Sequence, residues 1–110
     1  MDSAEVTLVR VYITEDERRL QRILAHLHDE ARVRGVTVFR GITGFGRSGR
    51  YHSSRLVDLA MDLPVVIEFF DAPARVGEVL ASLADLVEPG HVVWWPARVN
   101  EGAGAAGEEG

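Results

Sequence analysis

Residues 39–55 read FRGITGFGRSGRYHSSR. This stretch holds four of the chain's eleven glycines (Gly41, Gly44, Gly46, Gly49) and four of its twelve arginines (Arg40, Arg47, Arg50, Arg55). Glycine lets a backbone approach a ligand closely. Arginine offers a planar fork of donors that matches phosphate or carboxylate. Set between two apolar runs, the combination suits a loop that holds an anion or meets a partner. The candidate ligand contacts are Gly41, Gly44, Phe45, Gly46, Arg47, Arg50, His52 and Ser53. The competing reading is a mobile glycine-rich hairpin with no ligand of its own.

Other chemistries fit the sequence less well. Gly44-Phe45-Gly46-Arg47-Ser48-Gly49 satisfies G-x-G-x-x-G after a predicted strand, but a dinucleotide site also needs a helix opening at the third glycine within a parallel βαβ unit. Tyr51-His52-Ser53-Ser54 is a poor first helical turn, and 110 residues are too few for a doubly wound sheet. Ser48, Ser53 and Ser54 lie near His52 without a nucleophile elbow around them. Asp58 and Asp62 would pair only on a helix. His26 and His28 are two apart and diverge on a helix. With no cysteine in the chain, a thiol nucleophile, a disulfide and a thiolate metal site are all excluded. No catalytic residue, metal site or cofactor is assigned.

The net charge is −5 and every strong cation is an arginine. A negative domain is a poor general binder of nucleic acid, whose affinity rests on neutralised phosphates, although a local arginine patch can still take a small anion. No run of eighteen apolar residues is present, so no membrane insertion is expected. The acidic start MDSAEV lacks the basic and apolar regions of a secretory signal. The expected location is cytoplasmic.

Patterning then supplies the elements that must position the glycine-rich stretch. Residues 1–4 are expected to be a disordered lead and 5–13 a β-branched strand. Thr14 and Glu17 have capping-box spacing. Leu20, Ile23, Leu24, Leu27 and Ala31 form one helical stripe, predicting a helix over 15–34 closed by Gly35 at its C-terminal end. A second strand covers 36–43. Residues 51–62 fit either a short helix or a hairpin arm. A third strand covers 63–70. Asp71 and Pro73 signal a helix start, with Val76, Val79, Leu80, Leu83 and Val87 as its stripe. Pro89-Gly90 ends that helix, and a fourth strand covers 91–99, with Pro96 a candidate break. Residues 100–110, NEGAGAAGEEG, carry no apolar side chain larger than alanine and are expected to be disordered. The single domain spans 5–99.

The order βαββαβ with right-handed crossovers predicts an α+β, ferredoxin-like sandwich: one four-stranded antiparallel sheet with two helices on one face. Its other face is expected to be apolar as well, because the first and third strands are apolar on both sides and the adjacent Trp94 and Trp95 must point to opposite faces. Self-association is the simplest cover for such a face. Arg10, Arg40 and Glu68 interrupt otherwise apolar strands. They either pair on the second face inside an oligomer or sit in water at the sheet edge.

The segments Arg40-Gly41-Ile42-Thr43-Gly44-Phe45-Gly46 and Asp62-Leu63-Pro64-Val65-Val66-Ile67-Glu68 resemble the small bacterial PII-like family catalogued as DUF family 190. Val9-Arg10-Val11-Tyr12-Ile13 and Tyr51-His52-Ser53-Ser54 are similar too, and the likeness covers about 5–99. The resemblance implies a PII-like homotrimer, more distantly like the CutA trimers. It also implies a signalling role in which a small ligand, an adenine nucleotide in PII proteins, binds between subunits. The loop over 41–55 would report the bound state to a partner protein. In PII proteins a second, basic loop grips the phosphates; here that place is Glu88-Pro89-Gly90-His91, without arginine or lysine, which points to a ligand with fewer phosphates or another anion. A small ferredoxin-like enzyme and a CutA-like metal-responsive trimer are the other readings.

Overall fold

A computed structural model describes residues 1–14, 17–45, 51–53 and 63–102. Among the described residues, six strands and two α-helices follow in the order β1 (Ser3–Thr14), α1 (Glu17–Ala25), β2 (Val36–Arg40), β3 (Thr43–Phe45), β4 (Tyr51–Ser53), β5 (Pro64–Asp71), α2 (Pro73–Leu83) and β6 (Val92–Asn100). The main sheet has the order β2-β5-β1-β6, with every neighbouring pair antiparallel. This is the predicted βαββαβ sandwich. The short pair β3–β4 is an additional hairpin inserted between the second and third strands of the main sheet.

Alternation along the strands decides what is buried. Val9, Val11 and Ile13 of β1 and Val65, Ile67 and Phe69 of β5 face the helices and are at most 5% exposed. They pack on Leu20, Ile23 and Leu27 from the first helical segment and on Val76, Val79 and Leu83 of α2. These are the two apolar stripes that the helical spacing predicts, and their burial is the main stabilising term of the domain. Asp71, which ends β5, accepts the Ala72 N–H at 2.8 Å. Ala72 rather than Asp71 therefore occupies the cap position of α2, with Pro73 in its first turn.

Several element boundaries differ from expectation. β1 begins at Ser3, and Ser3 lies opposite Asn100, so part of the expected lead and the start of the expected tail close the end of the β1–β6 ladder. Glu101 N–H continues the pairing to Asp2 O at 2.8 Å. Pro96 does not break β6. It lies opposite Thr7 in an edge strand, where a missing N–H is tolerated. The expected second strand stops at Arg40, and the chain re-pairs at Thr43 in the hairpin.

The first helix ends earlier than Gly35. After Ala25 it loosens into a π-turn over His26–Glu30, with Ala31 N–H on His26 O and Val33 N–H on Leu27 O. Arg32 then takes a left-handed φ of 53°, a conformation that costs a non-glycine residue roughly 1–2 kcal/mol. The cost is offset from another element: Arg75 Nη2 of α2 donates to both Ala31 O and Arg32 O. Gly35 has nothing within 4 Å of a notional Cβ and is not the helix stop.

Candidate functional site

The hairpin β3–β4 stands where the glycine-rich stretch was expected to act. Its register sets Thr43 opposite Ser53, Gly44 opposite His52 and Phe45 opposite Tyr51. Five of the eight candidate contacts, Gly41, Gly44, Phe45, His52 and Ser53, therefore share one short ribbon or its root. Gly46, Arg47 and Arg50 lie outside the described residues, as do Asp58, Asp62 and the rest of the segment left open between helix and hairpin arm.

The root of the hairpin is built on Pro64. Gly41 N–H donates to Pro64 O at 2.7 Å. A Cβ added at Gly41 would stand 2.7 Å from Pro64 Cγ, and one added at Gly44 would stand 3.3 Å from it. Among the described residues the left-handed glycine is Gly90, at φ 86°. Gly41 and Gly44 are thus required by close packing on the Pro64 ring and not by an unusual backbone angle. Ile42, between them, is 74% exposed.

At the same end of the sheet, on its opposite edge, the turn from α2 into β6 carries Glu88, Gly90 and His91. His91 Nδ1 donates to Tyr12 O at 2.9 Å, and its Nε2 lies 3.8 Å from a Glu88 carboxylate oxygen. Arg19 of α1 reaches within 3.7 Å of that carboxylate, so a cation does approach this turn from a different element. Ala84, Val87, Pro89, Val92 and Trp94 frame a shallow groove of about 320 Å³ beside Glu88. Trp94 is 56% exposed.

The face of the sheet away from the helices carries a third feature. Arg10 Nε donates to Glu68 Oε1 at 2.7 Å, directly across the β1–β5 register. The guanidinium lies 5.9 Å from the Phe39 ring centroid and 6.0 Å from that of Trp95, within cation–π range of both. Its hydrogen bonds to Glu68 and Tyr12 hold the Arg10 pKa above its usual range. Pairing of Arg10 with Glu68 on this face matches expectation. Arg40 does not join them: it lies opposite Val65, whose side chain is in the core, and alternation puts it on the other side of the sheet. Trp94 and Trp95 lie opposite Val9 and Leu8 and so point to different faces, as adjacency requires.

His26 Nδ1 lies 3.2 Å from Glu30 Oε1, and its Nε2 lies 2.7 Å from Ser82 Oγ. The connectivity is that of a nucleophilic triad, but Ser82 stands inside α2 and its hydroxyl also reaches Val79 O at 2.7 Å. A serine within a helix has its backbone N–H committed to the ladder and offers no oxyanion hole. The trio clasps the π-turn to α2. Among the described residues no group of three His, Asp or Glu side chains is placed to hold a metal ion, and no helix is long and apolar enough to cross a membrane.

The model of the DUF190 family, described as an uncharacterised ACR, matches residues 6–99. The chain belongs to this family. A UPF0166 protein of Aquifex aeolicus is 30% identical over 80 residues, covering 69% of this chain and 76% of the relative. Among solved structures, CPII of Thiomonas intermedia K12, a nitrogen regulatory PII-like protein, bound to ADP and bicarbonate, superposes with a TM-score of 0.69 at 18% identity, over 91% of this chain and 93% of CPII. CutA1 of Oryza sativa superposes with a TM-score of 0.60 at 11% identity, over 92% and 85% of the two chains. At these identities the two structures establish the shared fold. Sequence reasoning did not single out Arg19, which approaches Glu88, or Pro64, on which the hairpin root packs. Arg19 reads as one of several helix-surface arginines, and Pro64 as an ordinary strand start.

Proposed function

We propose that this DUF190 chain is a PII-like signalling and regulatory protein of the cytoplasm that acts by binding and not by catalysis. It assembles as a homotrimer and takes a small ligand in the clefts between subunits. It reports occupancy through the 41–55 loop to a partner protein. The ligand class is a small anion, with an adenine nucleotide of few phosphates as the leading case.

The observation that carries this reading is the placement of the two ligand-suited features. The hairpin root follows β2 at one edge of the sheet, and the Glu88–His91 turn precedes β6 at the other. Three strand spacings, roughly 14 Å, separate them within one chain. Two copies set edge to edge bring the hairpin root of one beside the turn and Trp94 of the next, forming a cleft that one chain lacks. Gly41 and Gly44 keep the backbone of the root slim, and Gly46, Arg47, Arg50, His52 and Ser53 complete the proposed ligand contacts. An exposed indole beside the turn suits a planar base. Glu88 opposes a third phosphate, which favours ADP or AMP over ATP. Support from relatives is at the level of fold: CPII, of the same fold, binds ADP and bicarbonate.

A thermal-shift titration with AMP, ADP, ATP, bicarbonate and divalent metals tests the reading. A nucleotide that binds the folded assembly at a hundred times its dissociation constant stabilises it by about 2.7 kcal/mol, an easily read shift. No shift with any nucleotide, together with a clear shift from a metal, would overturn it in favour of a CutA-like role.

A further inference from the structure

Among the described residues the helix-free face of the sheet is largely apolar around the Arg10–Glu68 ion pair, with Arg34 stacked on Phe70 toward one end. Phe39, Tyr12, Val93 and Trp95 are 47%, 41%, 46% and 39% exposed, and register and alternation put all four on this face. The Arg10 and Glu68 side chains at its centre keep 39% and 23% of their surface open. The Arg10–Glu68 contact uses one guanidinium nitrogen and one carboxylate oxygen, and Tyr12 takes a further Arg10 donor; a guanidinium carries five donors in all, so part of that capacity and the second Glu68 oxygen remain available to whatever covers the face.

Covering the face with purely apolar surface would desolvate those groups without partners, at a cost that a few contacts could not offset. The covering surface must therefore bring an acceptor and a donor to the middle of an apolar patch. A second copy of this chain carries both, at the matching spacing, and presents its own Phe39 and Trp95 around them. We propose that the Arg10–Glu68 pair is shared between copies: Arg10 of one chain reaches Glu68 of the next, and the resulting network fixes how copies register on one another. The inference rests on the reading that copies of the chain cover this face. It goes beyond that reading by naming the two residues that make the cover specific.

Two charge-removing variants test it, Arg10→Gln and the isosteric Glu68→Gln. Each removes one charge at a position open to solvent in the single chain, and far-UV circular dichroism checks that the fold is kept. Masses are read by native mass spectrometry over a dilution series. Each variant alone is expected to assemble at least roughly tenfold more weakly than the parent chain, because a buried charge loses its partner. Mixed together, the two variants should recover assembly, with mixed species well above their random share. Arg10 of the Glu68→Gln chain then meets Glu68 of the Arg10→Gln chain, a pairing that no contact within one chain can rebuild. Mixed species at the random share, with no gain in stability, would place the pair within single chains and overturn the inference. So would variants that assemble as well as the parent. A parent chain that is itself monomeric at micromolar concentration would sink the reading beneath it, and that outcome is seen before any variant is made.

Discussion

Replacing Gly41 by alanine tests what the glycines at the hairpin root are for. The added methyl would sit 2.7 Å from Pro64 Cγ, with Pro64 Cβ and Pro64 O both at 3.5 Å. Carbon–carbon contact is comfortable at about 3.5–4.0 Å, so one side must retreat by nearly 1 Å. A proline ring in a strand paired on both sides has little room to do so. Overpacking of this kind costs about 1–3 kcal/mol. Losing the Gly41 N–H to Pro64 O bond in the rearrangement would add about 1 kcal/mol. Gly44→Ala meets the same ring atom at 3.3 Å, needs only a few tenths of an ångström, and should cost well under half as much.

The decisive comparison is a double-mutant cycle with Pro64→Ala, which deletes the clashing Cγ. If packing is the reason for the glycine, Gly41→Ala should cost much less in the Pro64→Ala background, with a coupling of about 1–2 kcal/mol. Equilibrium urea unfolding at one fixed protein concentration reads it, since the stability of an assembling chain depends on concentration. Additivity within about 0.5 kcal/mol would refute the packing argument.

Two further changes separate other parts of the molecule. Arg75→Ala withdraws the donors on Ala31 O and Arg32 O and should destabilise the domain by about 1.5–3 kcal/mol, while Arg32→Gly relieves the left-handed φ and should stabilise it by up to about 1 kcal/mol. Thermal unfolding of both reads the opposite signs, and a stabilising Arg75→Ala would refute the capping account. Trp94→Ala removes an exposed ring and should change stability by less than about 0.5 kcal/mol, yet it should reduce the nucleotide-induced thermal shift. A full shift in that variant would remove the indole from the site.

The fold was legible because it is written in periodicity. Leu20, Ile23 and Leu27 on one helix and Val76, Val79 and Leu83 on the other declare their buried faces by spacing alone. Val65, Ile67 and Phe69 do the same at a period of two. The second apolar face was legible for the same reason, and Arg10 and Glu68 stood out as charges in apolar strands. What periodicity does not carry is which residues meet across the chain. Arg40 has the same sequence signature as Arg10, but the register with Val65 sends it to the other side. The first helix stops where an arginine from α2 can hold its last carbonyls, a cap with no local signal, and so Gly35 drew an assignment that belongs to Arg32. Gly41 and Gly44 stood out as residues that let the backbone approach a ligand closely, whereas the structure requires their lack of a Cβ for packing within the chain. That reason lies in Pro64, on a strand entered only after the whole loop has passed.

Pro64 also begins the strand that carries Glu68, so one element joins the hairpin root to the helix-free face. Four residues of strand span roughly 14 Å. β5 is paired on both sides, and its inner side chains Val65, Ile67 and Phe69 are at most 1% exposed. Such a strand transmits position but has no second arrangement of its own. Coupling requires an element with two states whose balance the ligand changes. On the proposed function, that element is the loop beyond Gly41, and not the sheet. Ligand binding should slow amide exchange within residues 41–63 while leaving β5 and β1 unchanged, because their exchange requires opening the whole domain. Hydrogen–deuterium exchange with and without a nucleotide that gives a thermal shift reads the difference. Faster or slower exchange confined to β5, with the loop unaffected, would mean that the signal passes through the sheet, and the assignment of the 41–55 segment as the reporter would fall.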